Sequence, residues 1–234
     1  MKSYLLTFLV GSLLGPVQAG IFFLFLKFSE ILSIFGATSS ETSIATLSGS
    51  GALEKRRASF RAMYSYSLAM CLPAFTGLVC CLPWAMTHWM KAPSVAYLDG
   101  IWVGLYGLAS GWKRIITIVC TGVELSHSAA LWGILEIGLT IPAVFLLYPG
   151  FGVAGVFLGC TLSTVALFPP ATQLARLLEQ SAFGLWIRPA LGFLLGSGLV
   201  VIAWESRSLW LIAGAILVAA GTSLRYLQKS HRMA

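Results

Sequence analysis

Residues 129–171 read AALWGILEIGLTIPAVFLLYPGFGVAGVFLGCTLSTVALFPPA, and the fold turns on that stretch. A hydrocarbon core of about 30 Å needs roughly 20 apolar residues in helix, so the run is long enough for two crossings. It reads as spans Ala129 to Tyr148 and Val153 to Ala171 with a turn at Pro149-Gly150. Neighbouring runs repeat the pattern. Spans are predicted near Val17 to Phe35, Ala62 to Met86, Val95 to Val123, Leu185 to Trp204 and Leu209 to Tyr226. Before the first lies a shorter apolar piece, Tyr4 to Leu14, ending at Gly15-Pro16. There proline removes a backbone donor and glycine permits a tight turn, so the chain re-enters the bilayer from a partial helix.

Composition agrees with this reading. Of 234 residues, 58% are hydrophobic and 10% charged, and the mean hydropathy is +0.87. Such values lie far from soluble averages and predict a membrane chain. The longest stretch without a sustained apolar run, Gly36 to Ala62, is too short to bury a core of its own. A second reading of the N-terminus is a secretory signal, with Lys2 as basic flank and Val17-Gln18-Ala19 before Gly20 as cleavage site. Against it, the next apolar run follows at once. Cys71, Cys80, Cys81, Cys120 and Cys160 all lie in apolar runs without a CxxC pair and read as small hydrophobes. His88, His127 and His231 have no ligand-spaced partners, so neither a metal nor a cofactor is expected.

The net charge of +7 resolves into topology. Lys55-Arg56-Arg57, Arg61, Arg176, Arg188, Arg225, Lys229 and Arg232 fall on one side if the spans alternate, against Lys91 and Arg207 on the other. By the positive-inside rule the richer side is cytoplasmic, and the C-terminus with it. The turns at Gly15-Pro16 and Pro149-Gly150 then face outward, and the turn Glu124 to Ser128 inward.

Gly100, Gly104, Gly107 and Gly111 recur at helical spacing on one face, and Gly152, Gly155, Gly159 and Ser163 do so two spans later. Small residues let helix backbones approach closely, either as fixed packing or as surfaces that slide. Pro73 and Pro142 each free a carbonyl inside a predicted span and mark candidate hinges.

Ionisable groups at membrane depth cost at least ~2.5 to 3.5 kcal/mol each and need a reason. Lys27 and Glu30 are near enough on one face to pair, as a structural pair or as a cavity cation with its counter-ion. Glu136 has no opposite charge one turn away, so its partner is expected on another helix. Lys113-Arg114 lies deep in the Val95 to Val123 run, where two adjacent cations suit an anionic headgroup or phosphate. The alternative is that this helix ends near Gly111 and the two cations sit at the cytoplasmic surface. No paired catalytic carboxylates, HExxH or phosphate-cradling loop occurs, which points away from an enzyme. Basic residues without interleaved aromatics point away from nucleic acid.

Three segments together resemble the second half of the polysaccharide and O-antigen flippases of the multidrug, oligosaccharidyl-lipid and polysaccharide exporter superfamily. They are Gly11 to Phe22 leading into the span with Lys27, the basic segment Glu54 to Arg61 opening the next span, and Tyr148 to Gly159 followed by Thr161-Leu162-Ser163. The resemblance implies one lobe of a two-lobed helical carrier in a bacterial inner membrane. It also implies lipid-linked oligosaccharides of the undecaprenyl-diphosphate type as cargo, as in lipopolysaccharide synthesis. Lys27, Lys113 and Arg114 are the positions carried over as phosphate contacts, with Glu30 and Glu136 as charge partners. The first lobe is missing from this chain, so a first-lobe chain or a second copy is an expected partner beside membrane lipids. The other function in view is a non-transporting membrane subunit, or a remnant, associated with polysaccharide biosynthesis enzymes and docking through its glycine faces.

The expectation is therefore an all-α, polytopic bundle of about seven spans plus a partial N-terminal helix. Residues 1–180 form the second-lobe bundle, and residues 181–234 an additional helix pair with a cytoplasmic tail.

Overall fold

The computed structural model describes residues 2–49, 97–122 and 125–177 continuously, with separate positions between 54 and 88 and between 214 and 228. Among the described residues every regular element is a helix, so the chain is all-α. Pro73, the spans predicted from Leu185 and Leu209, and the unit 181–234 as a whole lie outside the continuous described segments.

Gly15 and Pro16 split the N-terminal apolar residues into α1 (Lys2–Leu14) and α2 (Pro16–Gly49). Gly15 adopts φ 84°, and its N–H bonds the Gly11 carbonyl at 3.1 Å, closing α1 with a left-handed cap. Its own carbonyl accepts the Ala19 N–H at 3.1 Å and so starts α2, with Pro16 at the first helical position, where no N–H is needed. One residue thus caps two helices. The reversal returns Leu6 and Val10 of α1 onto Phe22, Phe25 and Leu26 of α2. α2 does not stop where its apolar run does. It continues past Phe35 to Gly49, 34 residues in all. At 1.5 Å per residue that is about 51 Å, well beyond a hydrocarbon core.

α3 (Tyr97–Gly122) packs along α2 on one side and α4 (Ser126–Ser163) on the other. It turns Gly100, Gly104, Gly107 and Gly111 inward, all four buried. The helix runs on through Lys113 and Arg114 without ending near Gly111.

Within α4 the single departure from helical geometry is Gly152, at φ 56° and ψ −135°. A side chain rarely adopts that conformation, and here the chain folds back on itself. Thr140 Oγ1 on the first arm lies 2.8 Å from Ser163 Oγ on the second. Gly155 and Gly159 bring the arms together: a Cβ at Gly155 would stand 2.5 Å from the Leu147 carbonyl oxygen, and one at Gly159 would stand 2.9 Å from the Val144 nitrogen. Gly152 is therefore the turn of this hairpin, while Gly155, Gly159 and Ser163 form its seam. Pro142 lies inside α4 with no departure from helical φ/ψ beside it, so the bend belongs to Gly152.

The second arm also stops short of Ala171. It passes into a 3₁₀ turn, Thr164–Leu167, and then α5, Phe168–Leu177. Pro169 and Pro170 supply the cause. They lack the N–H groups that would bond the carbonyls of Val165 and Ala166, and their rings crowd those carbonyls.

Two apolar cores are strung along α3. The first centres on Phe157, whose ring lies 5.0 Å from Phe22 and 5.5 Å from Tyr106, with Val103 and Val144 beside it. The second gathers Ile115, Ile116, Val119 and Cys120 of α3 with Ala129 of α4 and Ala171 and Leu174 of α5. Lys113 and Glu136 fall between the two cores.

Candidate functional site

Glu136 lies on the one stripe of the first α4 arm that faces inward, with Ala129, Thr140 and Val144. Its side chain is 1% exposed. A carboxylate sealed in this way needs a cation or a proton, and α3 supplies the cation: Lys113 Nζ donates to Glu136 Oε2. The lysine side chain is 30% exposed, so the pair is asymmetric, with the carboxylate closed in and the ammonium partly open. The Glu136 carbonyl accepts the Thr140 hydroxyl at 2.8 Å, and Ser163 Oγ donates to the Cys160 carbonyl at 2.8 Å. A chain of polar groups thus runs from α3 through both arms of α4.

The open side of Lys113 faces a groove of about 300 Å³ between α3 and α4. From α3 come Lys113, Thr117 and Thr121, one helical turn apart and therefore on one face. The α4 wall runs from Ser126 at its N-terminus through Ala129, Ala130 and Gly133 to Ile134 and Ile137. Thr117 and Thr121 donate to the carbonyls of Lys113 and Thr117 at 2.9 Å each, so their hydroxyls are satisfied within the helix. A Cβ at Gly133 would meet nothing within 4 Å, and this glycine leaves the groove its width.

The other positions singled out in the sequence are distributed elsewhere. Arg114, next to Lys113, is exposed and does not line this groove, as expected of a neighbour about 100° round the helix. Lys27 and Glu30 pair with each other at 2.8 Å on α2, with side chains 54% and 38% exposed, and Lys27 Nζ also stands 5.3 Å from the centre of the Phe23 ring. The three cations therefore do not line one groove. Among the described residues no cluster of three metal-binding side chains occurs.

Sequence reasoning missed two contributors. Thr117 and Thr121 follow Lys113 at intervals of four, a signal that was visible. Pro169-Pro170 was equally plain, and it sets the bend that brings α5 under the second core.

Among the described residues one helix, Ser126–Ser163, is long and apolar enough to cross a membrane, with a mean hydropathy of 2.0 over its best window. Its exposed face carries Leu131, Ile134, Leu139, Phe145 and Leu146, while its buried stripe carries Glu136 and Thr140. No protein family, curated protein or solved structure matches the chain.

Proposed function

We propose that this chain is a polytopic integral membrane protein of about seven spans, and a carrier or one lobe of a carrier rather than an enzyme. Its cargo would be an anionic, lipid-linked saccharide precursor, handled in the inner membrane of a bacterium with the C-terminus cytoplasmic. The observation that carries the reading is the inverted polarity of the first α4 arm: apolar residues outside, Glu136 and Thr140 inside, and a lysine paired with that carboxylate and opening on a groove. Soluble helices bury their apolar face, whereas in lipid the polar groups gather between helices and mark functional paths. The three-segment resemblance to polysaccharide flippases supplies the cargo class.

The competing reading, a docking subunit, relied on the glycine faces as interaction surfaces. Gly104, Gly107 and Gly111 are buried within the chain, and Gly155 and Gly159 are spent against the backbone of their own hairpin. That weighs for the carrier. The test is translocation of a fluorescent polyprenyl-diphosphate oligosaccharide in proteoliposomes holding the full chain, alone and with a first-lobe chain if one is encoded beside it. Transport that falls at least tenfold in Lys113→Gln supports the reading. Absence of transport in every combination, with stable capture of a glycosyltransferase, overturns it.

A further inference from the structure

The segment that joins α4 to α5 is built as a hinge, and α5 itself is lightly held. Beyond Ser163 the helix tightens into the 3₁₀ turn Thr164–Leu167, and Pro169 and Pro170 withhold the N–H groups that would bond the Val165 and Ala166 carbonyls. A 3₁₀ stretch between two helices is a place where one can swing against the other. α5 then lies on the second core, with Pro170, Ala171, Leu174 and Ala175 buried and Gln173 and Arg176 exposed. Among the described side chains of α5, Leu174 is the one large apolar group that is buried. The alanines beside it add little apolar area, so this hold is slight. The outer side of α5 is tied down by a polar contact: Ser128 Oγ, in the first turn of α4, donates to Gln173 Oε1 at 3.0 Å. That bond is exposed, and water competes for both groups.

We propose that α5 is a latched lid, which swings about the 3₁₀ turn and is held closed over the second core by the Ser128–Gln173 hydrogen bond. Closed, it helps to seal Cys120, a fully buried thiol in the core that Ala171 and Leu174 share with Val119 and Ala129. Open, it uncovers that core alone. The first core, which holds Cys160, stays shut, because Phe22 of α2, Tyr106 of α3 and Phe157 of the α4 hairpin pack together there without any part of α5. Such a local opening costs less free energy than unfolding the whole chain. Ala129 lines the groove as well as the second core, so the lid and the groove share a wall. The α3–α4 end of the molecule can thus loosen while the rest remains packed.

The lid depends neither on membrane placement nor on transport, so its failure would leave the carrier reading standing, and the reverse. The test is labelling of the full chain in detergent with N-ethylmaleimide. Cys120 and Cys160 are read separately by mass spectrometry of their peptides, and each rate is divided by that of the unfolded chain. Both thiols are sealed in the closed form, yet Cys120 is expected to label about tenfold faster, through opening of the lid. Gln173→Ala and Ser128→Ala should each speed Cys120 several-fold and leave Cys160 unchanged. The two together should do no more than either, since they remove the same bond. Gln173→Glu keeps an acceptor for the Ser128 hydroxyl and should restore the slow rate. Equal rates at the two cysteines in the unaltered chain overturn the lid. So does a rise at Cys160 that matches the rise at Cys120 in the latch variants, because the whole chain would then have loosened. A Gln173→Ala chain in which Cys120 labels no faster overturns the latch.

Discussion

Lys113 and Glu136 stand 23 positions apart and meet as one hydrogen-bonded pair, yet the two ends have unequal alternatives. Removing the carboxylate leaves an ammonium that already reaches the groove and can extend along it. Removing the ammonium takes the Lys113 partner from a carboxylate that is 1% exposed. Lys113→Met should therefore destabilise more than Glu136→Leu, by about 3 kcal/mol against roughly 1, since the first takes an ion-pair partner from the sealed charge and the second from the partly open one. The double variant should recover most of the loss. Thermal unfolding of the three proteins in detergent measures this order, and equal losses in the two single variants would contradict the asymmetry. The sequence made Glu136 legible as a residue in need of a partner on another helix. It could not name Lys113, because pairing across helices depends on the register between α3 and α4, which spacing within either helix does not fix.

At the scale of elements, the α4 hairpin was the most legible feature, and its glycines divide by role. Gly155 and Gly159 have backbone atoms where a Cβ would stand, whereas Gly138 has nothing within 4 Å. Gly155→Ala and Gly159→Ala should each cost about 1–3 kcal/mol by forcing the arms apart. Gly138→Ala should stabilise by about 0.5 kcal/mol through helix propensity alone. Gly152→Ala should cost about 1–3 kcal/mol because its backbone lies outside the range of L side chains. Melting temperatures of the four variants test the division, and a loss in Gly138→Ala as large as that in Gly155→Ala would sink it. The expectation that placed Gly152 on the packing face failed for a simple reason: spacing records which residues share a face only while the helix continues. The same limit hid the length of α2. Hydropathy falls after Phe35, but backbone hydrogen bonding runs on to Gly49.

At the scale of the molecule, the two cores and the ion pair between them order the chain along one axis. The end holding Leu125 and Ser126 belongs with the second core, and the end holding Gly150 and Phe151 with the first. On the proposed topology, Ser126 faces the cytoplasm and Gly150 the outside. In a chain whose five cysteines are replaced by alanine, Ser126→Cys should react with an impermeant maleimide only in inverted vesicles, and Gly150→Cys only in right-side-out cells. The opposite pattern would reverse the orientation, and labelling of both from one side would deny that the first α4 arm crosses at all. Composition made the membrane reading legible. The number of crossings was read from hydropathy alone, and among the described residues one helix meets the criterion of length and apolarity.

The placement of the ion pair also has a consequence in time. Lys113 leaves the ribosome before Glu136, and at about 5–20 residues per second the 23 intervening positions take roughly one to five seconds. On the proposed topology, a chain inserted as it is made brings α3 to the bilayer before the carboxylate that pairs with its lysine. The two helices are then expected to enter the membrane as one event, with the hairpin that closes at Gly152 following them in.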